Sequence, residues 1–351
     1  MSTLSAPFPY FGGKSRAASL VWTAFGDVAN YVEPFAGSAA MLLAAPDGKR
    51  IETINDADGF IANFWRAVAI DPEAVAHHAD WPCSEVDLEA RHSWLVSRAD
   101  RLRWHLEDPD FYDAKIAGWW CWGACNWIGS GWCEGTGPHH TNGARLFNSR
   151  QLPHLGDAGK GINRKLPHLG DAGKGINRQL PHLGDAGMGI NRKLPHLGDA
   201  GMGENPRSVF IREWMQALAD RLRETRVTCG DWSRVVKDSV TTRHGLTGLF
   251  LDPPYTKGMM NYAAGGVGTE LPMQVQAWCA DNGDNPLLRI ALCGHAGEHD
   301  ALLDAGWFIG TWKARKGYAA SPEAVQNSKD ETVWLSPHCI RADVGQSRMF
   351  A

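Results

Sequence analysis

The run Leu249-Phe250-Leu251-Asp252-Pro253-Pro254-Tyr255 brings a carboxylate, two prolines and an aromatic ring to the end of an apolar segment. Those residue types suit chemistry on the amino group of a nucleobase. The exocyclic nitrogen of adenine is a poor nucleophile because its lone pair is delocalised into the ring. The Asp252 carboxylate and the Pro253 carbonyl oxygen can each accept one amino hydrogen, which localises the lone pair toward a methyl donor held in line. Pro254 stiffens the turn. Tyr255 offers a flat face to a base extruded from a duplex, the route by which enzymes reach atoms hidden in the stack. Cytosine carries a chemically similar amino group, so this motif alone leaves the base open.

A second set lies near the start. Glu33-Pro34-Phe35-Ala36-Gly37-Ser38 follows one apolar run and Asn55-Asp56 ends the next. A glycine after a strand lets the backbone turn tightly against a ligand, and an acid at the end of the following strand can accept hydrogen bonds from ribose hydroxyls. Phosphate cradles are not indicated, since neither G-x-G-x-x-G nor G-x-x-x-x-G-K-[ST] occurs. Cys121, Cys125, Cys133, His139 and His140 lack the C-x-x-C pairing of structural zinc sites, and no metal is expected. His295 is expected to be structural. The eight cysteines are scattered rather than arranged as a secreted disulfide framework and are expected to be reduced thiols.

The elements that must position these groups follow from hydrophobic periodicity. Strands are predicted at residues 30–35, 51–55, 226–229, 248–252, 287–293, 307–313 and 331–336, with helical patterns at 38–44 and 59–69. Residues 72–127 are helical in pattern, and a further helix follows residue 206. Between them, residues 151–206 repeat one 14-residue unit four times around Leu-Pro-His-Leu-Gly-Asp-Ala-Gly, whose glycines and proline indicate turns. This array is either a passive expansion of one loop or a set of backbone amides offered to phosphates. The result is an α/β domain split by a long insertion. The net charge is -4, but residues 142–250 hold 17 Lys and Arg against 10 Asp and Glu, so positive charge is concentrated in the middle. No 18-residue apolar run or signal-type N-terminus is present, and a cytoplasmic protein is expected.

These motifs, in this order, resemble the Dam-type or D12 class DNA adenine methyltransferases, phage-borne members especially. Tyr10-Phe11-Gly12-Gly13-Lys14 is similar to the family's N-terminal cofactor motif, Glu33 to Ser38 to its first strand loop, Asn55-Asp56 to its second, and Asp252 to Tyr255 to its catalytic tetrad. Ala39 stands where many relatives carry another glycine. The aromatic run from Trp119 to Trp127 and the loop Gly129-Ser130-Gly131-Trp132-Cys133 resemble the start of the target-recognition region, where Asn126, Gly129, Ser130 and Trp132 become candidate DNA contacts. The resemblance implies a Rossmann-like, seven-stranded S-adenosylmethionine-dependent methyltransferase sheet from residues 1–70 and 226–351. A helical recognition insertion would occupy residues 71–225. It implies methyl transfer from S-adenosylmethionine to adenine in double-stranded DNA by base flipping, without metal, by a monomer or weak dimer. Lys14 and the backbone at Gly12 and Gly13 would close the methionine side of the cofactor, and Asp56 would bind its ribose. A partner restriction endonuclease and a bacterial host cytoplasm are further family expectations. The rival readings are a cytosine amino-methyltransferase, which usually has serine at the Asp252 position, and a DNA-binding relative that has lost catalysis.

Overall fold

The computed structural model describes residues 4–9, 14, 17–108, 110–127, 132–133, 139–142, 145–148, 206–254, 270–310 and 331–341. Tyr10, Phe11, Gly12, Gly13, Gly129, Ser130, Tyr255 and nearly all of the repeat array lie outside these residues.

Seven strands form one sheet: β1 (Asn30–Glu33), β2 (Ile51–Asp56), β5 (Thr225–Cys229), β6 (Thr247–Leu251), β7 (Leu288–His295), β8 (Phe308–Gly310) and β9 (Glu331–Leu335). Their order is β5-β2-β1-β6-β7-β9-β8. Every pairing is parallel except those of β9, which runs against both β7 and β8. The predicted strands are all present, with ends shifted by one or two residues; residues 311–313 of the sixth lie outside the described part. One antiparallel pair, β3 (His139–Asn142) with β4 (Arg145–Asn148), was not expected from the sequence.

The middle strands are buried on both faces, as parallel strands covered on each side must be. All five residues of β6 and all four of β1 are buried. Alternation along the strands divides the core into two layers. Tyr31 and Phe250 join Phe8, Phe25 and Trp65 on one side, whereas Val32, Leu249 and Leu251 join Trp307 and Trp334 on the other.

Helices α1 (Ala18–Phe25) and α2 (Ala40–Leu43) flank β1, and α3 (Gly59–Ile70) follows β2. Asp58 caps α3 by accepting from the Phe60 amide. The chain then runs through α4 (Pro72–Ala79), α5 (Glu85–Val96), α6 (Ala99–His105) and α7 (Ala114–Asn126), of which α4, α5 and α7 are capped by Asp71, Ser84 and Asp113. These helices do not stand apart from the sheet. Helices α4 and α7 pack on each other and on α3, and α8 (Pro206–Leu222) packs on α3 and α4 before leading into β5. Arg221 of α8 donates to both Glu52 oxygens, at 2.6 and 2.9 Å, and to the Leu42 carbonyl at 3.0 Å. This bidentate pair ties the far end of the long excursion to β2. Helix α9 (Glu270–Asn282) connects β6 to β7. Among the described residues no helix is long and apolar enough to cross a membrane.

Candidate active site

The chain order in the sheet reverses between β1 and β6. From β1 the chain moves outward through β2 and β5; from β6 it moves the other way through β7. In open parallel sheets a crevice opens beyond the carboxyl ends of the strands at this switch point, and ligands bind there. The sequence motifs converge on it: Glu33 ends β1, Asp56 ends β2 and Asp252 directly follows β6.

The turn after β1 is held from three directions. The Ala36 amide donates to the Asn55 carbonyl at 2.9 Å, and the Asn55 side chain donates to the Pro34 carbonyl at 3.0 Å. Gly37 donates its amide to Asp56 Oδ2 at 2.9 Å and accepts at its carbonyl from the Trp65 indole at 3.0 Å. With φ at 48°, Gly37 occupies a left-handed conformation that suits a residue without a β-carbon. Ala39, also left-handed at φ 50°, stands where a second glycine was expected and fits that backbone despite its methyl group. Ser38 is buried, and Phe35 stacks on Trp232 with ring centroids 6.1 Å apart.

Asp56 is thus partly committed to the protein. Its Oδ1 also accepts from the Asp58 amide at 2.9 Å. A carboxylate has about four acceptor positions, so two amides leave capacity for ribose hydroxyls. Burial, reinforced by Asp58 nearby, pushes its pKa from 3.8 up to about 7. Glu33, proposed from the motif as a cofactor contact, faces inward: it is 2% exposed, and its Oε2 accepts from the Tyr31 hydroxyl at 2.9 Å and the Leu42 amide at 3.2 Å. Burial raises its pKa to about 8 against those two hydrogen bonds, so it is largely protonated near neutrality.

Lys14 brings a cation to the crevice. Only 5% exposed, it places Nζ 3.4 Å from Asp252 Oδ1 and 3.3 Å from Glu331 Oε1. Burial alone would lower its pKa, but Asp252, Cys293 and Glu331 together outweigh burial and raise it. After Asp252, Pro253 is buried and Pro254 half-buried. Two groups here were not picked out in the sequence. Glu331 begins β9, 317 residues from its lysine, and no local pattern marks it. Asp231 and Trp232 follow β5 beside Asp56, whose carbonyl accepts from the Gly230 amide at 3.0 Å; a Gly-Asp-Trp at a strand end was the available signal.

The aromatic segment forms a packed cluster. Arg91 is buried, its guanidinium 4.4–4.8 Å from the rings of Trp81, Trp119 and Trp122. His92 stacks on Trp127, and its Nε2 accepts from the Cys133 amide at 3.2 Å. Trp132 lies over α7 where a β-carbon at Gly123 would collide with its ring, and it donates to the Trp120 carbonyl at 3.0 Å. Asn126 donates to the Trp122 carbonyl at 2.6 Å. Asn126 and Trp132, the two described DNA candidates, are therefore half-buried and anchored to α7. The Cys121 and Cys125 thiols face the Pro7 carbonyl oxygen, at 3.9 and 3.5 Å, and Cys133 is buried. His295 is half-exposed beside a cavity of about 430 Å³ lined by Met273, Gln276 and Glu298.

Residues 10–84 match the family model for D12 class N6 adenine-specific DNA methyltransferase. No curated protein matches the chain. The matched segment holds Lys14, the turn after β1 and Asp56. Over these residues the chain is similar to D12 class N6 adenine-specific DNA methyltransferases, and that similarity supports an adenine-specific DNA methyltransferase activity.

Proposed function

We propose that the protein binds S-adenosylmethionine across the turn after β1 and transfers its methyl group directly to N6 of an adenine flipped out of double-stranded DNA. The observation that carries this reading is the convergence of Gly37, Asp56, Lys14 and Asp252 at one switch point of a methyltransferase-type sheet. The donor set suits such a cofactor: Asp56 accepts hydroxyl hydrogen bonds, and Phe35 and Trp232 offer aromatic surface next to it. The cofactor supplies a methyl group on a positively charged sulfur. Tyr10, Phe11, Gly12, Gly13 and Lys14 complete its methionine side, with Glu33, Pro34 and Ser38 shaping the turn.

Asp252 and the Pro253 carbonyl accept the two amino hydrogens, so the nitrogen lone pair points at the methyl carbon. As the nitrogen–carbon bond forms, the carbon–sulfur pair goes to sulfur, and the excess proton on nitrogen passes to Asp252 or water. Pro254 fixes the turn, and Tyr255 stacks on the flipped base. Residues 71–225 serve target recognition, with Asn126, Gly129, Ser130 and Trp132 nearest the DNA. The enzyme acts as a monomer or weak dimer in the cytoplasm.

The test is transfer of labelled methyl from S-adenosylmethionine to duplex DNA, with the product base identified after digestion. Wild type should yield N6-methyladenine. Asp252→Ala should abolish transfer while duplex affinity changes little, and Tyr255→Phe should stay partly active through retained stacking. Near-normal methylation by Asp252→Ala would overturn the mechanism.

A further inference from the structure

We propose that Glu331 is a positioning residue for methyl transfer, acting through Lys14 on Asp252. This rests on the reading of Asp252 as the group that touches the adenine amino hydrogens. The register places Glu331 opposite His295, at the crevice end of β7, with β7 lying between β9 and β6. Lys14 reaches over that strand end, with one carboxylate from β9 and one from the segment after β6 on its ammonium.

Two consequences follow from this geometry. First, Glu331 shares the ammonium, so Lys14 meets Asp252 at Oδ1 at 3.4 Å, long for a charge-assisted hydrogen bond. A lysine facing Asp252 alone would close on that carboxylate and compete with the substrate amino group for its lone pairs. Second, Lys14, Asp252 and Glu331 together carry a net charge of about -1 when all are ionised. The reacting nitrogen gains positive charge as methyl arrives, and a preorganised negative cluster stabilises that change. Neutralising Glu331 removes both effects without touching substrate.

Glu331→Gln should lower the single-turnover methylation rate on the order of 10-fold, while affinities for duplex DNA and for S-adenosylhomocysteine stay within about 2-fold. Glu331→Asp, which keeps the charge, should recover most of the rate. In a Lys14→Met background, adding Glu331→Gln should cost less than it does in wild type, because the part of the effect that runs through the ammonium is absent there. A Glu331→Gln enzyme with wild-type rate overturns the proposal. So does a rate loss that Glu331→Asp fails to reduce, or one that is fully additive with Lys14→Met. If Glu331→Gln does not fold, the Asp variant and its combination with Lys14→Met decide by the same criteria. Asp252→Ala is measured alongside: activity in that variant removes the Asp252 reading, whereas the Glu331 comparisons report on Glu331 itself.

Discussion

Replacing Glu33 with glutamine should stabilise the protein at alkaline pH and do little at acid pH. The carboxyl lies 2% exposed beneath α2, and burial holds its folded pKa near 8 against an ordinary 4.5. Below about pH 4.5 the side chain is protonated both folded and unfolded, and folding carries no charge penalty. Between 4.5 and about 8 the unfolded chain releases a proton that the folded chain keeps, so stability falls as pH rises through that window. At about 1.4 kcal/mol per pH unit, the loss above pH 8 is bounded at roughly 5 kcal/mol. The substituted carboxamide would resemble the protonated acid in shape, with an oxygen for the Leu42 amide and a hydrogen-bonding partner for Tyr31. Urea unfolding followed by tryptophan fluorescence should show Glu33→Gln within about 1 kcal/mol of wild type near pH 5 and several kcal/mol more stable near pH 8.5. Asp56 adds a pH dependence of the same sign between 3.8 and about 7 in both proteins, so the difference between them isolates Glu33. A variant-minus-wild-type difference that stays constant from pH 5 to 8.5 would refute the reasoning.

The remaining predictions concern the cofactor turn and the aromatic cluster. Asp56→Asn should weaken S-adenosylmethionine binding by about 1–3 kcal/mol in calorimetry, through lost ribose hydrogen bonds. Wild-type affinity should itself decline as pH falls through about 7, where the Asp56 carboxylate takes up a proton, and the Asn variant should show a flatter profile. Gly123→Ala should cost about 1–3 kcal/mol by overpacking and displace Trp132. A thermal scan together with DNA affinity measures both effects, and a stable variant with unchanged DNA binding would separate Trp132 from recognition.

The sheet was legible in the sequence because its middle strands are covered on both faces. Continuous apolar runs such as Gly248–Leu251 and Ile290–Cys293 cannot be spent on solvent-facing elements. The pair β3–β4 escaped because His-His-Thr-Asn and Arg-Leu-Phe-Asn show no shared alternation of apolar and polar positions. The motifs fall at strand ends around the switch point, but the direction of each side chain depends on long-range packing. Glu33 belongs to a recognisable turn, yet its place on the strand face shared with Tyr31 turns it into the core. Glu331 was invisible for the opposite reason, since its meaning comes wholly from the register of β9 against β7. Trp132 and Asn126 were expected as DNA contacts; carbonyls of helix α7 accept a hydrogen bond from each.

The distribution of charge within the fold bears on how one enzyme could handle two very different ligands. Glu33, Asp56, Asp252 and Glu331 stand at the carboxyl end of the sheet, where Lys14 is the cation paired with the last two. The charge of these described residues would attract the positively charged donor proposed here and repel phosphates over a distance of about one Debye length, roughly 8 Å at physiological ionic strength. A duplex backbone therefore gains nothing by entering; a flipped adenine, which is neutral, meets no such barrier. The backbone must be held by positive charge elsewhere, and the surplus of Lys and Arg across residues 142–250 lies in a different part of the chain from these acids, Asp252 and Glu331 following it and Glu33 and Asp56 preceding it. Protonation of Glu33 below about pH 8 keeps the acidic end from repelling itself, as the buried carboxyl would otherwise add a further negative charge beside Asp252 and Asp56. On this argument raising the salt concentration should weaken duplex binding steeply, through lost phosphate contacts, while barely altering the affinity for the neutral product S-adenosylhomocysteine. Filter binding and calorimetry across the same salt series give the two slopes, and equal slopes would mean that phosphate and cofactor share one electrostatic surface.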